Sequence, residues 1–444
     1  MNFIYIKKII KKKIEDHKKY KVLYLIAIIH FIRYCLSRKY RKNRCLIDPP
    51  ADFFYKYKKL INYFSIPLLL VARYLKKKKI FISINNEFNY SMGHIYAEID
   101  QIKRMQNLDK KYTHSVIWFT TSRKEILGET KDIFETNNFK ILFGGLKRIF
   151  LTIIAINYPH ISIDGSISHS NYIMGKNYRH RYVYNNLSKH RGKLMTDSKN
   201  FYPLKEKLKD YYQETKLLLQ KLKIKKKYIV IQIKTKKVNG TLEPLSPDLY
   251  LKCIEYLQDK DYQIVFAGRE KFPEIFSNNS IINYAQSKYA SSLNDYLLLG
   301  NCSMVISAAS GFCLLPQNLD KPLLVLNPHH ISQYFGRRTI FLPTLLSRKT
   351  HVFNAKIQFE YLCRYGPDCG YKKFDDLYIL HMPTCEEIFM AAKELEGMLS
   401  SIIPPFTPLQ KKIRDEDGCP LLSCGLSRIS DYYLTKHGFF FEKE

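Results

Sequence analysis

"SMVISAASGFCLLPQNLDKPLLVLN", residues 303–327, holds the pattern that decides the fold. An apolar, β-branched run ends at Ser307. The turn Ala308-Ala309-Ser310-Gly311 follows and opens the apolar segment "FCLLPQNL". A second apolar run, "PLLVL", then ends at Asn327. Short continuous apolar runs joined through a helix are the mark of parallel strands covered on both faces. The same alternation extends upstream through "YIVIQIK" (228–234), the helix "LSPDLYLKCIEYLQDKD" (245–261), "YQIVFAGR" (262–269) and "LNDYLLLGNC" (293–302). Ser246-Pro247-Asp248 is a good helix start, a cap residue followed by proline at the first position. Residues 227–400 therefore read as a Rossmann-like, doubly wound α/β domain.

A second alternation precedes it. "KIFISI" (79–84), "SVIWFT" (115–120), "FKILFG" (139–144) and "HISID" (160–164) are short strand-like runs separated mostly by polar, helix-like segments. Residues 80–202 are expected to form another Rossmann-like domain. Residues 203–226 read as a linker helix, and 401–444 as a C-terminal tail. The fold class is then α/β, two doubly wound domains in tandem with a basic helical extension in front.

That extension, residues 1–79, stands out by charge. The chain carries a formal net charge of +32, and residues 1–80 alone hold 22 Lys/Arg against 4 Asp/Glu. Its longest apolar run, Val22 to Ile32, is far shorter than the ~20 residues a membrane span needs, and no small-residue cleavage site follows it. Basic clusters alternating with apolar stretches fit an amphipathic segment lying on an anionic membrane surface; helices packed on the domain with solvated lysines are the bland alternative. No nucleic-acid reader motif accompanies the charge. The ten cysteines show no Cys-x-x-Cys and no histidine at ligand spacing, so free thiols in a reducing compartment and no metal site are expected.

In open parallel sheets, ligands bind outside the carboxyl ends of the strands. Those ends carry Lys234 and Lys236, Arg269, Ser310 and Gly311, and Asn327. A glycine lets backbone approach a diphosphate, a helix start offers N–H groups, and lysine or arginine supplies charge. A plain cap and turn at Ser310-Gly311, surface lysines, and an ion pair at Arg269 are the competing structural readings. In the first half, Gly93 leads a helix after the strand at 80–84, with His94 in its first turn and Glu98 four residues on, on the same side. Such a pair can deprotonate an acceptor hydroxyl, with the carboxylate orienting the imidazole; it can equally serve only to support the helix. Asp164, at the end of "HISID", is the other acid at a strand end.

Taken together, the Gly-His-x-x-x-Glu stretch at 93–98, "YIVIQIK", "YQIVFAGR", the 303–327 stretch, "FLPTLL" (341–346) and "GCPLLSCGLSRISDYYLTKHGFFFE" (418–442) resemble a largely uncharacterised set of bacterial glycosyltransferases of the GT-B fold. The resemblance runs from about Asn85 to the C-terminus. It implies metal-independent transfer, without a cofactor, from a nucleotide-sugar donor to a glycan or lipid-linked acceptor in surface polysaccharide synthesis. The resemblance carries Gly93, His94, Glu98, Ser310, Gly311 and Asn327; joined to the strand-end readings, it leads to His94 and Glu98 as the expected catalytic pair, with Gly93 and Asp164 on the acceptor side. Lys234, Lys236, Arg269, Ser310, Gly311 and Asn327 would bind the donor. The enzyme would work in the cytoplasm, peripheral on the inner face of the membrane. One departure stands out: relatives tend to carry His-x-Arg after the first strand of the donor domain, where this chain has Gln232 and Lys234, and lysine lacks the guanidinium fork. A catalytically inactive binding protein of the same fold, or a basic membrane- or nucleic-acid-binding protein, are the alternatives.

Overall fold

The computed structural model describes, apart from a few single positions, residues 68–84, 92–108, 133–143, 194–235, 244–327, 336–348, 378–415 and 426–438, with the strand 115–120 and positions 129 and 131. Residues 1–67, "HISID", Asp164 and Lys236 lie outside these ranges. The chain forms two compact units.

The first unit holds helix α1 (Leu68–Lys77) and strands β1 (Ile80–Ile84), β2 (Ser115–Thr120) and β3 (Phe139–Phe143). The strands pair in that order, all parallel, with Ile82 opposite Ile117 and Trp118 opposite Ile141. Ile82, Phe139 and Ile141 are fully buried. These are the apolar runs of the sequence, and parallel pairing follows from the long connections between them.

After β1 the chain enters the second unit with α2 (Met92–Leu108). That unit continues with α3 (Pro203–Lys207), a 3-10 turn at Leu208–Tyr211, and α4 (Tyr212–Lys221). Next come β4 (Tyr228–Gln232), a 3-10 turn at Pro247–Tyr250, α5 (Leu251–Asp259), β5 (Gln263–Phe266), β6 (Ile282–Asn283) and α6 (Ser292–Asn301). Strand β7 (Met304–Ala308), a 3-10 turn at Gly311–Cys313, α7 (Leu314–Asn318), β8 (Leu323–Leu326) and β9 (Thr339–Leu342) follow. An antiparallel pair, β10 (Leu345–Arg348) and β11 (Tyr378–His381), precedes α8 (Cys385–Glu396), α9 (Pro408–Asp415), β12 (Arg428–Ile429) and α10 (Asp431–His437).

Seven strands make one sheet in the order β12-β9-β8-β7-β4-β5-β6, and every pairing is parallel. All residues of β4, β7, β8 and β9 are buried, as expected of strands covered on both faces. The helix start read at Ser246 holds in part: Pro247 opens the 3-10 turn, but the Ser246 hydroxyl turns to the Asp248 carboxylate rather than capping a backbone N–H. The residues read as a tail are structural. Strand β12 adds to the sheet beside β9, and the Tyr433 hydroxyl of α10 donates to the Pro343 carbonyl at 2.6 Å.

Helix α2 packs against the Gly311–Cys313 turn, α7 and α3. Near its start the Tyr96 ring stacks on Tyr296 at 5.6 Å and its hydroxyl donates to Ser292 O at 3.3 Å, at the beginning of α6. Farther along, Arg104 is fully buried, bonded to Asp100 at 2.6 Å, with its guanidinium 4.7 Å over the Tyr202 ring. The Arg337 guanidinium, just ahead of β9, lies 5.3 Å over the same ring. The helix thus runs about 25 Å antiparallel to the strands, from the carboxyl edge of the large sheet at its first turn to the amino edge at Arg104.

Candidate functional site at the carboxyl edge of the large sheet

The strand order fixes where a ligand belongs. From β4 the chain winds outward to β5 and β6, then α6 crosses back and the winding continues the other way through β7, β8 and β9. The direction reverses between β4 and β7, and the crevice outside the carboxyl ends of these two strands is where open α/β sheets bind ligands.

The last residue of β4, Gln232, organises this crevice. It is buried, its side-chain carbonyl accepts from Ser307 Oγ at 2.6 Å and from Ser310 Oγ at 3.4 Å, and its amide donates to Ile233 O at 2.6 Å. Ser310 also caps the turn that follows, accepting from the Phe312 N–H at 3.2 Å. The Cys313 thiol, buried and held in its neutral form by desolvation, sits 3.3 Å from Ser307 Oγ. Gln232 therefore ties β4 to β7 and to the Ser310-Gly311 turn, in the position where His-x-Arg was the comparison.

Gly268 closes over the same side chain. Its φ of +105° is open to glycine, and a Cβ there would come within 2.9 Å of Gln232 Cγ. Gly268→Ala is expected to cost about 1–3 kcal/mol through backbone strain and displacement of Gln232. Urea unfolding of the variant measures it, and an unchanged midpoint would show that Gln232 yields freely.

Lys234 projects from the end of β4 and is part-buried. Desolvation lowers its pKa, opposed by the nearby Cys313 and Glu270. The Glu270 carboxylate accepts from Thr235 Oγ1 at 2.7 Å and so joins the loops after β4 and β5. Asn327, after β8, is buried in the left-handed region at φ 54° and accepts from the Thr344 hydroxyl. Arg269 is exposed at the end of β5.

Arg269 also acts on a second group. Asp295, in the first turn of α6, has its carboxyl pKa pushed up to about 7 by desolvation, against the Tyr284 hydroxyl and Arg269, with Glu129 adding to the rise. Glu129 itself accepts from the Leu293 N–H at 2.6 Å. Arg269 thus has an acidic neighbour within electrostatic reach. A raised folded-state pKa means the folded chain holds a proton that the unfolded chain has released, so this group lowers stability as pH rises from about 4 to 7. Asp295→Asn is expected to flatten the pH dependence of the melting temperature over that window and to stabilise the protein at pH 8; a parallel shift at all pH values would contradict this.

The opening of α2 completes the edge. Gly93 and His94 lie in its first turn, and Glu98, one turn on, is buried. Asp100 faces another way, in its buried pair with Arg104. Both stretches singled out in the sequence, 93–98 and 310–311, are therefore brought to one edge of one sheet within the second unit.

Among the described residues no group of three His, Cys, Asp or Glu is placed to hold a metal ion. The chain does contain two Asp-x-Asp triplets, Asp259-Lys260-Asp261 and Asp415-Glu416-Asp417. The first precedes β5 at the opposite edge of the sheet, with Asp261 paired to Lys226. The second begins at the end of α9 and runs beyond the described residues. Nor is any described helix long and apolar enough to cross a membrane.

No protein-family model and no curated protein matches the chain. Solved structures similar to it include a glycosyl transferase family 9 protein from Veillonella parvula, at 11% identity and TM-score 0.43, covering 72% of this chain and 97% of that one. The ADP-heptose lipopolysaccharide heptosyltransferase II of E. coli is similar at 11% identity and TM-score 0.38, over 59% of this chain and 89% of its own. A UDP-GlcNAc 2-epimerase from Neisseria meningitidis is similar at 13% identity and TM-score 0.33, over 56% of this chain and 82% of its own. The second unit of this chain is, by its own strand order, a doubly wound parallel α/β domain.

Proposed function

We propose that the protein is a glycosyltransferase that binds a nucleotide-sugar donor at the β4–β7 switch point and transfers the sugar to a glycan or lipid-linked acceptor in surface polysaccharide synthesis. The observation that carries this reading is the convergence of the Ser310-Gly311 turn, Gln232 and Lys234 where the winding reverses. Turn N–H groups and a lysine at that point suit a diphosphate. Lys234, with Lys236 and Arg269 in support, stabilises the leaving nucleotide without a bridging metal. Asn327 shapes the floor after β8. His94 is the base for the acceptor hydroxyl, Glu98 orients it, and Gly93 and Asp164 complete the acceptor side. The basic segment 1–79 holds the enzyme at the inner membrane face.

A panel of nucleoside diphosphates and nucleotide sugars, read by thermal shift and by release of nucleoside diphosphate with and without chelator, tests the reading. A stabilising diphosphate and chelator-resistant turnover are expected. Stabilisation without turnover would leave the inactive binding protein. Gly311→Val puts a branched side chain where backbone must approach phosphate, and it is expected to weaken that thermal shift at least tenfold in ligand concentration with the fold intact. Equal shifts in variant and parent would leave Ser310-Gly311 as a cap and turn only.

A further inference from the structure

The edge of the large sheet opposite the candidate site carries a row of basic residues. In an all-parallel sheet the residues just ahead of each strand fall on one edge. Here these are Lys225, Lys226 and Lys227 before β4, Lys260 before β5, Lys321 before β8, and Arg337 and Arg338 before β9. From β9 to β5 the row crosses four strand spacings, about 19 Å. Helices α2 and α3 add Lys103, Lys205 and Lys207 beside the Tyr202 stack.

The acids on this edge are too few. Asp320 serves Arg337 through two bonds of 2.9 and 2.6 Å, Lys205 at 3.5 Å and Arg338 at 3.9 Å; Asp210 takes Lys207 and Asp261 takes Lys226. Lys225, Lys227 and Lys260 are exposed with no acidic partner at ion-pair distance among the described residues. Crowding is felt within the cluster: desolvation and the neighbouring Lys207 bring the Lys103 ammonium down to about 8.

Two aliphatic side chains flank the row. Leu108 ends α2 one turn beyond Arg104 and is 45% exposed; Ile402 lies four residues past Met398, whose carbonyl accepts from Arg338 Nη1 at 3.4 Å, and is 78% exposed. Tyr202 is buried under two guanidinium groups, while Tyr262, directly ahead of β5, and Tyr256, with Lys260 Nζ 5.9 Å over its ring, are half-buried. A broad cationic row with protruding aliphatics matches the headgroup boundary of an anionic bilayer, whereas a nucleic acid would leave Leu108 and Ile402 without an apolar partner.

We infer that the amino edge of the seven-stranded sheet docks on anionic phospholipid through Lys225, Lys227 and Lys260, with Leu108 and Ile402 entering the interface. This contact is separate from segment 1–79 and does not depend on the transfer reading.

Sedimentation of the full chain with vesicles of phosphatidylcholine alone, or with an equal part of phosphatidylglycerol, tests it. Lys225→Gln/Lys227→Gln/Lys260→Gln is expected to weaken partition onto the anionic vesicles on the order of a hundredfold, from the usual contribution of each basic residue near such a surface. Leu108→Ser/Ile402→Ser is expected to weaken it about tenfold or more while leaving binding to a duplex oligonucleotide unchanged. Full partition of the lysine variant would overturn the inference. So would loss of oligonucleotide binding in that variant with vesicle binding untouched by the aliphatic changes, which would assign the edge to nucleic acid. Nucleoside diphosphate thermal shifts should be the same in all variants, which keeps this test apart from that of the candidate site.

Discussion

His94→Ala is expected to lower sugar transfer by a factor of about 10²–10⁴, the usual loss when a general base is removed. The argument is one of placement. Helix α2 starts at Met92, and its first turn stands at the carboxyl edge because Tyr96 meets Ser292 there and Arg104 shares the Tyr202 ring with Arg337 at the other edge. The same helix packs on the Gly311–Cys313 turn, so a base in its first turn would lie on the same edge as a diphosphate held by that turn. Glu98 lies one turn on and is buried, as suits a carboxylate that orients an imidazole. Glu98→Gln should therefore cost less than His94→Ala and shift the acid limb of the pH–rate profile, while His94→Ala should abolish that limb. Donor affinity, measured separately by titration calorimetry, should change little in His94→Ala. Normal turnover in that variant would move the role to Asp164.

The strands of the large sheet were legible because burial on both faces leaves little but apolar residues: β4, β7 and β8 fall inside the stretches at 228–234, 303–311 and 322–327. What escaped reading escaped for identifiable reasons. Strand β12 is two residues long and begins with an arginine, so it has no periodicity to find; Arg428 is buried because it stacks 4.4 Å over Phe406 and donates to Pro404 O at 2.9 Å. The packing of α2 was hidden by its polar residues. Asp100, Gln101 and Arg104 have the composition of a solvated face, yet all three are buried, with Asp100 and Arg104 paired to each other. A pair at this spacing looks the same in sequence whether it faces water or a tyrosine ring. Gln232 was legible only as a departure from an expected motif. Its role as the tie between β4 and the Ser310 turn depends on Ser307 and Gly268, which are distant in sequence and adjacent only across the sheet. The clustering of basic residues at strand starts was likewise invisible in a chain rich in lysine throughout, until the parallel order lined those starts up.

Lys234→Met is expected to weaken nucleoside diphosphate binding by a factor of roughly 10–150, corresponding to the loss of one charged hydrogen bond worth about 1.5–3 kcal/mol. The side chain is at the end of β4, beside the reversal point, and part-buried, so its charge is less screened than that of a surface lysine. Burial already lowers its pKa in the free protein, against the pull of Cys313 and Glu270. A diphosphate arriving next to it favours the charged amine and raises that pKa again. Binding should therefore take up protons as pH approaches the lowered value, and affinity should fall as pH rises through it. Calorimetry in buffers of different ionisation enthalpy reads that uptake directly. In Lys234→Met both the affinity and the proton uptake should be lost together. Lys234→Arg should keep much of the affinity, since charge survives, but lose the proton uptake, because a guanidinium does not titrate in this range. If Lys234→Met binds diphosphate like the parent while folding normally, Lys234 is a lysine at a strand end and nothing more, and the charge that meets the donor must come from Lys236 or Arg269.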